Sequence, residues 1–259
     1  MPEMSSFSPP QGRLGLMTHM VAGYPSLEDN RRMLQVYADA GVDLLEVQMP
    51  FSEPIADGPL FVRANLTALQ NGMNWAAYVE LLEEAGELFP GRLLMMGYAN
   101  SLYTGQRSQR FRALAAAGVR ALIIPDLPPD SDLGMFAEAM EHGLAKVLLV
   151  APNTSTGRLQ ELQQYPAAMV YAVARRGVTG VATSFSPALA DYLQRLRHYF
   201  NVPLAVGFGI STSDQIRWLR AYADFAVIGS AALRAYENGG STGLGQFLTP
   251  LLAACEYQS

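Results

Sequence analysis

Eight short apolar runs, separated by amphipathic stretches, constrain this chain more than any other feature. They lie at 15–22 (G-L-M-T-H-M-V-A), 43–49, 92–98, 120–125, 146–151, 168–173, 203–207 and 224–229. Each is a few residues long and almost wholly apolar, as a parallel strand covered on both faces reads. The stretches between them carry helix signals. Ser26 can cap a helix that opens L-E-D-N, with Asp29 three residues on. Helical spacing recurs at 74–88, 107–117, 131–142, 157–164, 186–199, 213–222 and 231–237. Eight strands each followed by a helix predict an α/β chain folded as one (β/α)8 TIM barrel, with connection handedness leaving little topological freedom. A doubly wound open sheet is the competing architecture, but it usually has fewer strands. Residues 1–14 read as a flexible lead-in, and 243–256 as a terminal helix after a glycine-rich turn.

Composition narrows the classes of function. Half of the 259 residues are apolar and 16% are charged, so a sizeable core is easily built. A net charge of −5 argues against nucleic acid and anionic membrane surfaces, which favour basic patches. Cys255 is the only cysteine, which excludes an internal disulfide and fits a reducing cytosol. His19, His142 and His198 are scattered, so neither a zinc nor an iron site is expected, and no cofactor is implied. The N-terminus has no signal-peptide pattern and no run is long enough to span a membrane, which predicts a cytoplasmic location.

Within that frame, residues 46–59 (E-V-Q-M-P-F-S-E-P-I-A-D-G-P) carry the chemistry. Glu46 sits among Leu44, Leu45, Val47 and Met49, where an ionised carboxylate is costly. Asp57 follows in a loop, because Pro50, Pro54, Gly58 and Pro59 break regular structure. Two carboxylates in unlike settings suit general acid–base work on a small molecule. On a barrel, both face the mouth at the C-terminal ends of the strands. Taken alone, Asp57 reads more readily as a turn former, since Asp-Gly is a common turn pair. Three glycine-centred segments follow the last three strands: R-R-G-V-T-G at 175–180, G-F-G-I-S at 207–211 and I-G-S-A at 228–231. Glycines let backbone N–H groups approach a ligand and helix starts favour an anion, so Gly180, Gly209, Gly229 and Ser230 are candidate phosphate donors. The competing reading makes them tight turns only. Lys146, the single lysine, starts strand 5 at the far end of the barrel, which argues against Schiff-base chemistry.

These motifs, with Tyr98 and Asn100 in Y-A-N and P-D-L-P at 125–128, resemble the α subunit of tryptophan synthase, in that family's order, from about residue 16 to 235. The resemblance implies retro-aldol cleavage of indole-3-glycerol phosphate to indole and glyceraldehyde 3-phosphate. It implies that Glu46 handles the protons and that Asp57 stabilises charge at the indole N–H. It places Tyr98, Tyr171 and Phe208 against substrate and Thr179 in a closing loop, with Gly180, Gly209, Gly229 and Ser230 on the phosphate. Tyr98 and Tyr171 could instead be core aromatics with satisfied hydroxyls. It further implies a β-subunit partner in a heterotetramer, the pyridoxal-phosphate chemistry belonging to that partner. A stand-alone indole-releasing lyase and a non-catalytic phosphate-binding regulator are the alternatives.

The chain departs from the family pattern E-L-G-I/V-P-F-S-D-P-L-A-D-G-P at Val47, Gln48, Met49 and Glu53. Gln48 stands for a glycine: pointing inward it changes the pocket, pointing outward it must find partners behind the sheet. Phe61 and Arg63 fall where smaller or polar residues are usual. His19 ends strand 1 where the family has an aromatic, and either contacts substrate or is a satisfied buried histidine. Asp126, between prolines, reads as a supporting residue.

Overall fold

In the computed structural model, eight parallel strands close into a barrel in the order β1 to β8. Residues 7–103, 106–173, 186–207 and 209–256 are described. The strands are β1 (Gly15–Val21), β2 (Leu44–Gln48), β3 (Leu93–Met96), β4 (Val119–Ile123), β5 (Ala145–Val150), β6 (Met169–Val173), β7 (Leu204–Gly207) and β8 (Phe225–Ile228). Each apolar run of the sequence holds one strand, and the closed barrel excludes the open-sheet alternative.

Side-chain alternation along each strand divides the core into two layers. Met17, Leu44, Leu94, Ala121, Val147, Met169, Ala205 and Phe225 fill the barrel interior. Leu16, Leu45, Leu93, Leu122, Leu148, Val170, Leu204 and Ala226 face the helical layer. Parity along β2 therefore sends Leu44, Glu46 and Gln48 into the barrel. Two of those three are polar, in a strand buried throughout its length.

The helical layer opens with α1 (Leu27–Ala40), where Ser26 caps the helix by accepting from the Asp29 N–H, as its sequence predicts. Next comes α2 (Pro59–Gln70), a helix that the periodicity of the sequence did not reveal. Pro59 was read there as a breaker, yet at the first helical position proline loses no hydrogen bond and its φ is already helical. Asn74 caps α3 (Trp75–Leu88), and α4 (Ala99–Leu102) is a single turn after β3. Five further helices alternate with the remaining strands: α5 (Arg107–Ala116), α6 (Met135–Glu141), α7 (Thr156–Leu162), α8 (Pro187–Tyr199) and α9 (Ser213–Leu219).

One expectation at the chain ends needs correction. Residues 7–14, expected to belong to a flexible lead-in, are anchored to the barrel at both ends. Phe7 is buried in the interior cluster, Leu14 is fully covered, and Arg13 makes a double hydrogen bond to Asp43 at 2.8 and 2.6 Å. At the other end, the span α10 (Ser230–Cys255) is two helices joined across a kink at Gly240, where φ is 56°, so a terminal helix does follow the glycine-rich turn. No helix among the described residues is long and apolar enough to cross a membrane.

Candidate active site

The β1–β2 register sets His19 beside Glu46 and Val21 beside Gln48, so His19, Glu46 and Gln48 meet inside the barrel. Glu46 is 2% exposed, and its Oε2 has no hydrogen-bond partner among the described residues. Burial, helped by the charge of Asp57, pushes its carboxyl up to about 8. At neutral pH it is therefore a proton donor in an apolar wall.

Asp57 is set by the loop after β2, where its N–H donates to the Pro54 carbonyl at 3.0 Å. Three side chains donate to its Oδ2: Gln48 Nε2 at 2.7 Å, Tyr98 Oη at 3.2 Å and Asn65 Nδ2 at 3.3 Å. Burial raises its carboxyl while these three bonds oppose the rise. All three fall on one oxygen, so among the described residues Oδ1 is the oxygen left for a ligand.

Gln48 thus points inward, which settles the choice its sequence position posed. It also reaches His19, whose Nε2 lies 2.9 Å from Gln48 Oε1. The His19 ring stacks on Phe61 of α2, with centroids 4.4 Å apart and planes 10° from parallel. Its Nδ1 lies 3.7 Å from Glu46 Oε1. Burial pulls the imidazole down to about 4, so the ring is neutral. Neither sequence reading of His19 is complete, since its polar partners and the Glu46 carboxyl share one ring.

Tyr98 stacks on Phe51 at 5.1 Å, and its hydroxyl accepts from the Ala56 N–H at 3.1 Å while donating to Asp57. Asp126 accepts from the Ala99 N–H at 2.9 Å, capping the turn that follows Tyr98, which gives this aspartate its supporting role. Tyr171 faces the interior from β6, and burial, followed by the charges of Glu46 and Asp57, holds its hydroxyl well above the ordinary value. Gly207 is what lets it fit, because a Cβ there would lie 2.7 Å from the Tyr171 hydroxyl.

At the other side of the mouth, Gly209 follows β7 at φ +69°, and Gly229 precedes Ser230, the buried first residue of α10. The first N–H groups of a helix have no acceptor within it, so this end of α10 offers donors and a positive dipole to an anion. Thr179, Gly180 and Phe208 lie outside the described residues.

Asn65 is the site residue that the sequence reading missed. It is fully buried on α2 and contacts Gln48 and Asp57, and it went unseen because α2 itself went unseen. The signal was available: Phe61, Ala64, Asn65 and Ala68 share one helical face.

A closed parallel barrel with a buried acid and a second carboxylate at the strand ends, facing an anion-ready helix start, defines an α/β-barrel enzyme for a small phosphorylated substrate. Comparison with known proteins gives the family. The family model described as tryptophan synthase alpha chain matches residues 8–249. Tryptophan synthase alpha chain from Syntrophotalea carbinolica is 36% identical over 236 residues, covering 91% of this chain and 93% of that one. The alpha chain from Desulforapulum autotrophicum is 38% identical over 241 residues, covering 93% and 95%. The solved structure of Mycobacterium tuberculosis tryptophan synthase superposes with a TM-score of 0.88 at 29% identity, covering 95% of this chain and 94% of that one. The chain belongs to the tryptophan synthase alpha chain family, lyases of tryptophan biosynthesis that cleave indole-3-glycerol phosphate.

Proposed function

We propose that Glu46 and Asp57 carry this cleavage, and that the chain acts as the α partner of a β subunit. The observation that carries the reading is Glu46, an inward, buried carboxyl at the mouth, with one oxygen unpartnered among the described residues and its pKa pushed up by burial to about 8. Breaking the bond between indole C3 and the side chain requires a proton on C3 and removal of one from the neighbouring hydroxyl. The electron pair of the O–H bond becomes the aldehyde carbonyl, and that of the broken carbon–carbon bond returns to the ring. A carboxyl near neutral pKa can give the first proton and take the second. Asp57 Oδ1 is free to receive the indole N–H, which becomes more acidic as the ring is protonated. Tyr98 and Tyr171 wall the ring. Gly209, Gly229 and Ser230, with Gly180, take the phosphate at the start of α10.

Two exposed apolar side chains favour the partnered reading over a stand-alone lyase. Ile55 and Leu133 stand 73% and 81% exposed in the loops after β2 and β4, on the face of the mouth. Both stand in loops at the C-terminal ends of their strands, and we read them as contacts for a partner. The test is indole release from indole-3-glycerol phosphate by the isolated chain, with and without a β subunit. Strong stimulation by β is expected, with near-complete loss in Glu46→Gln. Undiminished turnover in that variant would remove Glu46 from the chemistry, and rapid turnover without stimulation would favour the stand-alone lyase.

A further inference from the structure

The hydrogen bonds around Gln48 have a direction, and it can be read from the backbone outward. The Phe51 N–H can only donate and lies 2.9 Å from Asn65 Oδ1. The Phe61 carbonyl can only accept and lies 2.8 Å from Asn65 Nδ2. These two contacts fix the Asn65 amide. Asn65 Oδ1, an acceptor, is 3.3 Å from the end of Gln48 that also meets Asp57 Oδ2 at 2.7 Å, so that end must be the NH2 group. Gln48 Oε1 then faces His19 Nε2 at 2.9 Å, and an acceptor there requires Nε2 to carry hydrogen. A neutral ring with hydrogen on Nε2 has a bare lone pair on Nδ1, the atom that faces Glu46 Oε1 at 3.7 Å. Reversing the tautomer would set two lone pairs against each other at Gln48. Flipping Gln48 to relieve that would set its oxygen against both Asp57 and Asn65.

We propose that His19 is a positioning residue for the reaction, presenting an unprotonated Nδ1 to the Glu46 carboxyl through a chain anchored at the Phe51 and Phe61 backbone. The lone pair favours the acid form of Glu46 before substrate reacts. After Glu46 has given its proton to the ring, the same lone pair opposes the carboxylate and drives it to retake a proton from the substrate hydroxyl. One fixed tautomer thereby keeps the proton on Glu46 until substrate reacts and favours the second transfer, while making Glu46 a weaker acid in the first. The other ionisable groups facing Glu46 are Asp57 from the loop after β2, Tyr171 from β6 and Tyr78 from α3, whose hydroxyl is committed to the Val47 carbonyl at 2.8 Å. The two tyrosine hydroxyls can donate as well as accept, and Asp57 acts through its charge, so Nδ1 in this tautomer is the one neutral group of the set that can only accept.

The inference rests on the assignment of Glu46, but its first test needs no substrate, so failure of the relay and failure of the cleavage assay are distinguishable. Nitrogen NMR of the imidazoles in the full chain reports the tautomer directly. His19 is the buried one of the three histidines and is confirmed by signal loss in His19→Phe, which keeps an aromatic ring over Phe61. A neutral ring with hydrogen on Nε2 is expected around neutral pH. An Nδ1–H tautomer or an imidazolium overturns the proposal in the wild-type protein alone. Gln48→Met removes the acceptor and lets the tautomer reverse, so that Nδ1–H can stabilise the Glu46 carboxylate. The limb of the kcat/KM profile belonging to Glu46 is expected to move to lower pH by about one unit. In the His19→Phe background the same substitution is expected to leave that limb in place. An equal shift in both backgrounds would assign the effect to Asp57 and refute the relay.

Discussion

Replacing Glu46 by glutamine is expected to abolish cleavage and make the protein more stable at neutral pH. The carboxyl is raised from an ordinary 4.5 to about 8, chiefly by burial. At pH 7 the unfolded chain ionises this group and the folded chain does not. A folded-state pKa above the unfolded value contributes stability that is fully present below the unfolded pKa and lost as pH rises through the folded one. The window runs here from 4.5 to about 8. At neutral pH the loss covers roughly two and a half pH units, or about 3 kcal/mol. Glutamine is uncharged at every pH and nearly isosteric, and it leaves much the same polar atom unpaired as the protonated acid does. The gain should appear as a rise of about 6–10 °C in Tm near neutral pH for a chain of this size. It should shrink to nothing near the ordinary carboxyl pKa, where both states of the wild type hold the proton. Urea unfolding of both proteins at neutral and at mildly acidic pH measures it. Equal stability at neutral pH would show that Glu46 is ionised in the folded protein, and a gain that persists unchanged in acid would show that it does not come from ionisation; either result refutes the reasoning. A site residue whose removal stabilises the fold is expected where function holds a group in an unfavourable setting.

Three further outcomes follow from single contacts. Gly207→Ala puts a Cβ 2.7 Å from the Tyr171 hydroxyl and 2.8 Å from Cε1, so the ring must move. A lower kcat and a cost of about 1–3 kcal/mol in denaturant unfolding are expected, and a wild-type kcat would remove Tyr171 from the site. Lys146→Met should leave indole release intact and lower only stability, because the ammonium is held at the N-terminal end of β5 over Phe136 and Tyr165, at 4.9 and 4.7 Å. Loss of turnover in the folded variant would reopen Schiff-base chemistry. Leu133→Asp should weaken stimulation by a β subunit in titration while leaving unstimulated turnover unchanged, and full stimulation would move the partner surface elsewhere.

What could be read in the sequence was whatever depends on local pattern. The eight strands were legible because each is covered on both faces and bounded by polar or glycine-rich punctuation. The helix at Pro59–Gln70 was not, because its proline reads as a breaker unless the register of the helix start is known. Phe7 in the interior was equally hidden, since a single aromatic among serines and prolines has no periodicity to announce it. Glu46 and Asp57 could be singled out by type and surroundings. What could not be read was which oxygen of Asp57 is occupied and which way Gln48 points, since both depend on Asn65, a residue on the unseen helix.

His19, Gln48 and Phe61 looked like three separate departures in the sequence, and their packing makes them one. Glutamine in a strand otherwise lined by apolar side chains needs both a donor and an acceptor to offset its burial. Asp57 and Asn65 accept from its nitrogen, and His19 supplies a donor to its oxygen. The histidine in turn needs a flat apolar surface for its ring, which Phe61 gives by stacking on it. Gly229 leaves the space that this pair occupies, since a Cβ there would fall 3.0 Å from Phe61 and 3.4 Å from His19. Reverting Gln48 to glycine alone would leave the His19 Nε2–H and one bond of Asp57 without partners, and reverting His19 to phenylalanine alone would leave the Gln48 oxygen unpaired. Each single change therefore leaves a buried polar atom unsatisfied, whereas the paired change does not. His19 and Gln48, with Phe61 stacked on the imidazole, form one unit between Glu46 and Asp57, so substitutions among the three are expected to act together rather than independently.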